Sequence, residues 1–382
     1  MPSVVIEGWR FLPHSYSLWA MYLALELSQR PGIDVYFLDA PVPEARWTPD
    51  RTVLPEAQVA RIASIPAPPP DLKPDLLARI VFPYDYSPSP AARTLVFGTA
   101  EYGIVPNNFV KGALPISKAV ADSGHTAVTC TKWSQQGFLR SGVKAKQMAM
   151  VICAVDPGIF SPAAPDARAA IRARLGWTDR FVLFHNSSLG WNKNVEAMLE
   201  AMLVLADEIP RLTLAIKGMD ALYTSSQVVE RVCGGLPPDL RKRLLSRVQY
   251  IGASLGMAQV AELYQASDAY VCPYLAEGFN MPALEAAACG VPVICTSGGS
   301  SDDFMTGEFA LKIASRTRVH RESGGMVLQP NFENYVSHIR RIVKDETFRA
   351  KARAAGPAFV ANGWTWRHAA EQLLQAVNLV TT

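Results

Sequence analysis

The hydrophobic pattern of the chain changes between short apolar runs and longer segments with helical spacing. In the first half, SVVIEG (3–8) and TLVFGTA (94–100) are typical of buried strands, and YSLWAMYLALELSQR (16–30) has the spacing of a helix. Residues 41–90 are rich in proline, which fixes φ and removes a backbone donor. We therefore expect loop and sheet edge in 41–90, not central strand.

The second half alternates more regularly, with helical segments between most apolar runs. The runs that predict strands are FVLFHNS (181–187), RLTLAIKG (211–218), VQYIG (248–252), AYVCPYL (269–275) and VPVICTS (291–297). Strands that alternate with helices predict α/β structure, in which parallel sheets are covered by helices and ligands bind at the carboxyl ends of the strands.

The length of 382 residues exceeds the roughly 250–300 residues at which single cores stop growing, so we expect two domains. A strand and turn at 148–162 precede a polar helix and a new strand, and this places the domain change nearby. We predict a first domain at 1–165, a second domain at 166–365 and an amphipathic last helix at about 366–382.

Composition narrows the class of protein. Hydrophobic residues make up 49% of the chain and charged residues 19%, which is ordinary for a globular protein. The net charge of +3 argues against a dedicated nucleic-acid binder. We see no secretory signal and no window of about 18 apolar residues, so we expect a cytoplasmic protein. The six cysteines form no C-x-x-C pair, and we interpret them as small buried side chains.

A basic region lies at 107–150, where one acid, Asp122, stands against six basic residues. They are Lys111, Lys118, Lys132, Arg140, Lys144 and Lys146. Such a face is either ordinary solvated surface or a peripheral contact with anionic lipid, worth about 1 kcal/mol per basic residue. Both interpretations stay open.

The stretch PYLAEGFNMPALEAAACG (273–290) follows a predicted buried strand and contains two acids, Glu277 and Glu285. Pro282 suits the first turn of a helix, and Gly290 suits the position just past its end. We therefore place Glu277 at the strand end and Glu285 in the first turn of the helix.

The start of this helix offers unpaired N–H groups and partial positive charge, which favour a phosphate. The loop amides of Gly278, Phe279, Asn280 and Met281 add donors. Because a phosphate repels carboxylates, the two glutamates suit sugar or ribose hydroxyls instead. The alternative is a solvated Glu277 and a Glu285 that only complements the helix dipole. The following GGSSDD (298–303) is either a second anion-binding nest or a plain turn.

The stretch EGFNMPALEAAACGVPVICTSGG (277–299) resembles the E-x7-E signature of retaining GT-B glycosyltransferases of glycosyltransferase family 4. Three further stretches, 151–162, 181–203 and 248–274, are similar to other parts of that family in the same order. The resemblance covers Val151 to roughly Gly299, and the first half matches only in pattern.

The resemblance implies a GT-B fold: two Rossmann-like domains with parallel sheets facing a central cleft, and a C-terminal helix that crosses back to the first domain. It implies transfer of a sugar, with retention, from a UDP- or GDP-type donor on the second domain to a glycan or lipid-linked glycan on the first. We expect no cofactor and no metal, because the chain contains no D-x-D triplet.

The resemblance also implies residue roles. Glu277 and Lys193 would be catalytic: Glu277 holds donor-sugar hydroxyls, and Lys193 neutralises the departing diphosphate. Glu285 would hold the ribose, and the amides of Phe279, Asn280 and Met281 would contact sugar or diphosphate. The backbone near 251–255, including Gly252, would contact the base.

The sequence departs from the family at several positions. Ser187 and Ser188 stand where the family has an arginine, and Asn194 stands in place of a glycine. Lys217 is a candidate replacement for the arginine; the alternative is a solvated lysine at a strand end. In the first domain, Gly8, His14 and Glu101 are candidates for the acceptor or sugar side, although a lone histidine is more often structural.

Two other functions stay open, and a third is disfavoured. A non-catalytic homologue would bind a nucleotide-sugar or a partner transferase without turnover, as the missing arginine suggests. An epimerase would keep the fold and change the chemistry. A dehydrogenase is disfavoured because no G-x-G-x-x-G follows a strand.

Overall fold

A computed structural model of the protein describes residues 1–321 and 324–379. Its strands are β1 Ser3–Gly8, β2 Asp34–Asp39, β3 Leu76–Ile80, β4 Arg93–Phe97, β5 Thr126–Thr129, β6 Met148–Met150, β7 Phe181–Asn186, β8 Leu212–Lys217, β9 Val248–Ile251, β10 Ala269–Cys272, β11 Val293–Thr296, β12 Ala310–Ile313, β13 Ser315–Val319 and β14 Met326–Pro330.

The helices are α1 Ser15–Ser28, α2 Glu56–Ser64, α3 Ile116–Ser123, α4 Lys132–Arg140, α5 Pro165–Leu175, α6 Val195–Val204, α7 Asp220–Tyr223, α8 Ser226–Gly234, α9 Pro238–Leu245, α10 Met257–Ala266, α11 Met281–Ala288, α12 Phe332–Lys344, α13 Glu346–Ala361 and α14 Trp366–Ala376. Short 3-10 turns lie at Arg51–Val53, Asn107–Phe109, Ala145–Gln147, Trp191–Lys193 and Ser300–Asp303.

The chain divides into two compact units. Unit 1 comprises Met1–Ala154, Val319–Met326 and Gly363–Thr382, and unit 2 comprises Val155–Arg318 and Val327–Asn362. The predicted change at 165/166 is therefore too late, since residues 155–165 belong to unit 2. The reason is packing: Phe160 contacts the Tyr264 ring edge-on, and Gln265 Nε2 donates to Ser161 O at 2.8 Å.

Unit 1 contains a parallel sheet of order β2-β1-β3-β4-β5-β6. The expectation of loop and edge throughout 41–90 is wrong for β3, which pairs with β1 on one side and with β4 on the other. All five residues of β3 are buried. The prolines of this region flank Leu76–Ile80 but do not enter it, so the strand keeps every backbone donor.

The last helix, α14, packs on α1 and belongs to unit 1, as predicted. The ring of Trp366 stacks on Tyr22 with centroids 5.0 Å apart and an angle of 3° between the planes. Gln372 Oε1 accepts from the backbone N–H of Ile152 at 3.0 Å, which ties the helix to the segment after β6. The prediction of a C-terminal helix that returns to the first domain is confirmed.

Unit 2 contains a second parallel sheet, of order β12-β11-β10-β7-β8-β9. From β7 the chain proceeds outward through β8 and β9, then returns to β10 on the other side and proceeds to β12. The strand order thus reverses between β7 and β10. In open α/β sheets, ligands bind at the carboxyl ends of the strands flanking such a reversal.

A two-stranded hairpin, β13–β14, lies outside both sheets, and the apolar pattern gave no sign of it. Its base adjoins the carboxyl edge of the unit 2 sheet, where Leu328 N–H donates to Leu275 O at 2.7 Å. Four of the five residues of β13 are exposed, so the strand has no apolar face to recognise in the sequence.

Three expectations from the sequence can be compared with the structure: those on the cysteines, on membrane-spanning helices and on the basic region. All six cysteines are free and buried. None of the helices in the described ranges is long and apolar enough to cross a membrane. In the basic region, Lys111 pairs with Asp85 at 2.7 Å, Lys118 pairs with Asp122 at 2.7 Å, and Arg140 donates to a backbone carbonyl at 2.9 Å. At least three of its six basic residues thus have partners within the chain.

Candidate functional site

Two loops meet where the strand order of unit 2 reverses. The lysine loop, residues 187–194, follows β7, and the glutamate loop, residues 273–280, follows β10. The register between β7 and β10 ends at Phe184 and Tyr270. Beyond that point side chains join the strands: His185 Nδ1 lies 2.8 Å from Val271 O, and the Tyr270 hydroxyl donates to Asn186 O at 3.3 Å.

Lys193 and Glu277 are joined across these loops. Lys193 Nζ lies 2.7 Å from Glu277 Oε1, and the two side chains are only 13% and 11% exposed. The two residues are 84 positions apart in the sequence and were predicted to share one pocket. In the structure their side chains are in contact. A poorly solvated ion pair of this kind retains strong electrostatic influence on any group placed beside it.

The loops are held together by further hydrogen bonds. Asn192 Nδ2 donates to Ala276 O at 2.9 Å, and Leu275 N–H donates to Asn192 O at 2.8 Å. Asn194 Nδ2 donates to Pro273 O at 2.9 Å. Three consecutive residues of the lysine loop are therefore bonded to the glutamate loop, which fixes the ion pair in advance.

Asn194 also explains one departure from the family pattern. Its backbone is left-handed, with φ of 57° and ψ of 51°, at the start of α6. Glycine adopts this conformation easily, and asparagine is the side chain that tolerates it best among common residues. Asparagine thus keeps the turn that the family's glycine provides and adds the amide bond to the glutamate loop.

The start of α11 lies four residues beyond Glu277. Asn280 is left-handed, with φ of 82°, and its Oδ1 faces Ala283 N at 3.4 Å. Pro282 lies in the first turn, as predicted. The backbone N–H groups of Asn280 and Met281 donate to no backbone carbonyl in the described part of the chain. Together with the helix dipole, these amides favour an anion.

Glu285 lies deeper than predicted. Because α11 begins at Met281, Glu285 falls in the second turn and not in the first, and its residue is only 5% exposed. Tyr264 donates its hydroxyl to Glu285 Oε2 at 2.8 Å, and Asn186 Nδ2 donates to that hydroxyl at 3.1 Å. The alternative of a solvated Glu277 beside a Glu285 in the first turn does not describe this site, because the Glu277 side chain is only 11% exposed and Glu285 is buried in the second turn.

Burial raises the pKa of Glu285 from 4.5 to about 7, while the hydrogen bond from Tyr264 acts in the opposite direction. A carboxyl with this environment is poorly satisfied as an anion by the protein alone. Hydroxyl groups of a ligand would supply the donors that it lacks. Tyr264 was not identified from the sequence; its hydroxyl is hidden within a helix that otherwise has an ordinary apolar face.

Lys217 ends β8 and is only 6% exposed, so the interpretation as a solvated lysine is wrong. Burial lowers its pKa to about 8, opposed by the charge of Asp220. Its Nζ donates to the carbonyl oxygen of Gly218. Gly252, the candidate base contact, lies against Asp220, whose carboxylate would collide with any Cβ at that position. Glycine there permits a close backbone approach.

The candidates of unit 1 lie along the carboxyl edge of its sheet. Gly8 ends β1, and a Cβ there would lie 2.7 Å from the Cβ of Ala20, so the glycine allows α1 to pack closely. His14 caps α1 by accepting from Tyr16 N–H at 3.2 Å, and burial lowers its pKa to about 4. Glu101 follows β4, and its carbonyl accepts from Trp133 Nε1 at 3.0 Å. These contacts give Gly8 and His14 structural roles.

Several polar groups of the GGSSDD segment (298–303) already have hydrogen-bond partners within the chain. Gly298 N–H donates to Asp302 Oδ2 at 2.7 Å, so a carboxylate of the chain itself occupies this amide. Ser300 Oγ donates to Phe279 O at 3.2 Å, and Ser301 Oγ lies 2.7 Å from the Tyr274 hydroxyl. The segment therefore supports the glutamate loop through its contacts with Phe279 and Tyr274.

The serines at the family's arginine positions are also engaged. Ser187 Oγ lies 2.7 Å from Nε2 of His185, a buried histidine that the sequence did not single out. The carbonyl of Ser188 accepts from Ser225 Oγ at 2.8 Å.

Among residues 1–321 and 324–379, no group of three or more histidine, cysteine, aspartate or glutamate side chains is arranged to hold a metal ion.

Comparisons with known proteins give this site a context. The model of the family described as glycosyl transferases group 1 matches residues 167–359, just over half of the 382 residues. A GDP-mannose-dependent monoacylated alpha-(1-6)-phosphatidylinositol monomannoside mannosyltransferase from Corynebacterium glutamicum is 26% identical over 230 residues, covering 57% of this chain and 53% of the relative. A D-inositol 3-phosphate glycosyltransferase from Streptomyces bingchenggensis is 29% identical over 237 residues, covering 58% and 46%. The chain spans about half the length of these relatives.

Among solved structures, Anabaena HepE in complex with UDP and glucose is similar over 100% of both chains, with a TM-score of 0.71 and 15% identity. At this identity the similarity concerns the fold, which is the GT-B arrangement of two Rossmann-like units. With its two parallel α/β sheets, and with a family model that matches more than half of its length, the chain belongs to the GT-B glycosyl transferases of group 1.

Proposed function

We propose that the protein is a retaining glycosyltransferase that moves a sugar from a UDP- or GDP-type donor to an acceptor hydroxyl without a metal ion. The observation that carries the proposal is the Lys193–Glu277 ion pair beside the open amides at the start of α11. The donor class is supported by two relatives, one named as GDP-mannose-dependent and one solved with UDP and glucose.

In this proposal the diphosphate of the donor lies at the start of α11, against the amides of Asn280 and Met281. The ammonium of Lys193 has three N–H donors, so it can hold Glu277 and a phosphate oxygen at the same time. Negative charge grows on the leaving group as the bond from the sugar C1 to the phosphate oxygen breaks. A positive charge fixed in place beforehand lowers the barrier to this step.

The two glutamates hold the alcohol groups of the donor. Glu277 accepts hydrogen bonds from the sugar and acts as a positioning and electrostatic group; the proposed route requires no covalent bond to it. The acceptor oxygen bonds to C1 on the face from which the diphosphate departs, and the acceptor proton passes to the departing phosphate oxygen. Glu285 accepts from the ribose hydroxyls, whose donors would satisfy its buried carboxylate.

Lys217 and the backbone at Gly252 complete the proposed donor contacts. The carbonyl of Lys217 accepts from Ser187 N–H at 3.1 Å, so this lysine adjoins the start of the lysine loop. With a pKa of about 8, its ammonium is mainly charged at neutral pH. We assign it the charge that the missing arginine would have supplied.

The acceptor is proposed to be a glycan or a lipid-linked glycan, approached from the side of Gly8, His14 and Glu101. The phosphatidylinositol mannoside in the name of one relative supports a lipid-linked acceptor. In that case the basic residues of 107–150 would contact anionic lipid, and sedimentation with phosphatidylglycerol vesicles at low and high salt would measure this contact.

The direct test is a panel of UDP- and GDP-sugars assayed for binding, hydrolysis and transfer. A true donor at 100 times its dissociation constant should stabilise the protein by about 2.7 kcal/mol. Lys193→Met should lower kcat about 10²- to 10³-fold, as removal of other preorganised donors does. Lys351→Met is the matched control, because Lys351 forms a surface pair with Glu308 at 3.0 Å.

Each possible result decides part of the proposal. Turnover that falls in Lys193→Met and Glu277→Gln but not in Lys351→Met supports the assigned roles. Binding without turnover favours the non-catalytic homologue, which the serines at 187 and 188 motivate. NMR of the product anomer tests retention, and assays with EDTA test metal independence. The absence of binding to every donor would refute the proposal.

A further inference from the structure

The carboxyl end of β7 is joined to β10 by a side chain and not by the sheet ladder. The last paired residues are Phe184 and Tyr270. One residue later, His185 is only 2% exposed, and its Nδ1 lies 2.8 Å from the carbonyl oxygen of Val271. The imidazole therefore bridges the two strands at the level where their loops begin.

These partners determine the proton positions on the ring. A carbonyl oxygen only accepts, so Nδ1 must carry a hydrogen and donate it to Val271. In the neutral ring Nε2 is then an acceptor, and the hydroxyl of Ser187, 2.7 Å away, donates to it. Burial lowers the pKa of His185 to about 4, with a smaller contribution from the charge of Lys193, so the ring is neutral in ordinary buffers.

Ser187 links the His185 ring to the lysine loop by hydrogen bonds. Its Oγ accepts from the backbone N–H of Leu189 at 3.1 Å. Leu189 has φ of 55°, in the left-handed region that leucine rarely adopts, and its side chain is fully buried. A loop held in an unfavourable conformation needs bonds that over-determine it. The chain Val271–His185–Ser187–Leu189 supplies them at the start of the loop.

The end of the same loop is bonded to the same segment of the chain. Asn192 donates to Ala276 O, and Asn194 donates to Pro273 O, both at 2.9 Å. Both ends of the lysine loop are thus hydrogen-bonded to residues 271–276, the start through Ser187 and His185 and the end directly. Lys193 lies between the two asparagines, with Glu277 as its partner.

We infer that His185, acting through Ser187, is a positioning residue that sets the lysine loop so that Lys193 is held at the reacting diphosphate. The importance of Lys193 to turnover rests on the proposed function; the control of loop conformation does not. A phenylalanine, although larger, keeps a planar ring that can stack on Tyr270 as His185 does, with ring centroids 6.0 Å apart. The two nitrogens are needed only for the bonds to Val271 and Ser187.

The test compares Ser187→Ala and His185→Phe with His185→Gln, which keeps an acceptor for the Ser187 hydroxyl. The control is Ser267→Ala, another buried serine of unit 2, whose Oγ donates to a backbone carbonyl at 2.8 Å. Hydrogen exchange of residues 187–194 reports on the loop. Donor kcat and KM report on the reaction, and urea unfolding reports on stability.

We expect faster exchange of residues 187–194 in Ser187→Ala and His185→Phe. We also expect kcat to fall about 10- to 100-fold in both, as for small misplacements elsewhere, with KM for the donor changed by less than about threefold because ground-state binding is shared with α11. His185→Gln should recover most of kcat. Ser267→Ala should change stability without changing exchange in the loop.

Unchanged exchange of the loop in Ser187→Ala would overturn the inference, whatever the activity. Faster exchange with undiminished kcat would also overturn it, because the loop would then not position Lys193 for the reaction. If the wild type turns over no donor, the proposed function fails, and the exchange comparison alone decides whether His185 sets the loop. Where His185→Phe does not fold, Ser187→Ala carries the comparison.

Discussion

Replacing Glu285 by glutamine should make unit 2 more stable in a way that depends on pH. The folded protein raises the pKa of this carboxyl from 4.5 to about 7 because it is buried. One pKa unit corresponds to about 1.4 kcal/mol. The stability that the protonated carboxyl contributes is therefore complete below pH 4.5, and about 3 kcal/mol of it is lost as pH rises through 7. Glutamine keeps the shape and carries no charge to desolvate.

The assay is urea unfolding of wild type and Glu285→Gln at several pH values between 4.5 and 8.5. The difference between the two free energies of unfolding should increase in favour of glutamine by about 3 kcal/mol between pH 4.5 and about 7 and then stay nearly constant up to pH 8.5. Other titrating groups cancel in this difference. Glu308→Gln is the control, because Glu308 is a surface residue paired with Lys351, and its difference should be nearly flat.

A Glu285→Gln difference that stays constant with pH would refute the reasoning, since it would mean that Glu285 is not held protonated by burial. Donor binding gives a second readout. If ribose hydroxyls donate to the carboxylate, the glutamine variant should bind the donor more weakly while unfolding at higher urea at pH 8. Stability and affinity would then move in opposite directions at a single position.

Three further predictions concern the scaffold. Trp366→Ala should destabilise unit 1 by about 3–5 kcal/mol in urea unfolding, because the ring is 2% exposed and stacked on α1; a loss below 1 kcal/mol would contradict this. Gly290→Ala should cost at least about 1 kcal/mol, since φ is 71° and the new Cβ would lie 2.8 Å from a backbone oxygen, whereas Gly363→Ala, with open space, should cost less. The pKa of about 4 at His14 means that wild type loses up to about 3 kcal/mol as pH falls from 6.5 to 4; His14→Asn, which preserves the cap, should not show this loss in acid titrations of unfolding.

The strands of unit 2 were recognisable because strands buried on both faces are continuous apolar runs, as in β10 and β11. The hairpin strand β13 was not recognisable, because Arg316, Thr317, Arg318 and Val319 are all exposed and no face is apolar. For β3, proline content averaged over fifty residues hid five residues that contain none. Element recognition thus failed where the window was wider than the element or where no face was buried.

For the site, the two glutamates were found because they interrupt a mostly apolar segment with charge, whereas Lys193 was assigned only through the resemblance to the family. Tyr264 and His185 were missed because each places a polar group inside an otherwise apolar element. The hydrogen-bond partner of each residue is also distant in the chain. Val271 is 86 positions from His185, and Glu285 is 21 positions from Tyr264. Spacing rules along one helix or strand do not reach such pairs. Likewise, the turn that contains Glu285 depended on the left-handed Asn280, which moves the start of α11 to Met281.

The return of α14 to unit 1 has a consequence for biosynthesis. All of unit 2, Val155–Arg318 and Val327–Asn362, is translated before Trp366. Domains generally fold as they leave the ribosome, the N-terminal one first. Here the unit that is started first is completed last, and until then the aromatic face of α1 at Tyr22 lacks its cover. The nascent chain therefore carries an incomplete N-terminal unit throughout the synthesis of the other, and that interval is when a chaperone would be most useful to it.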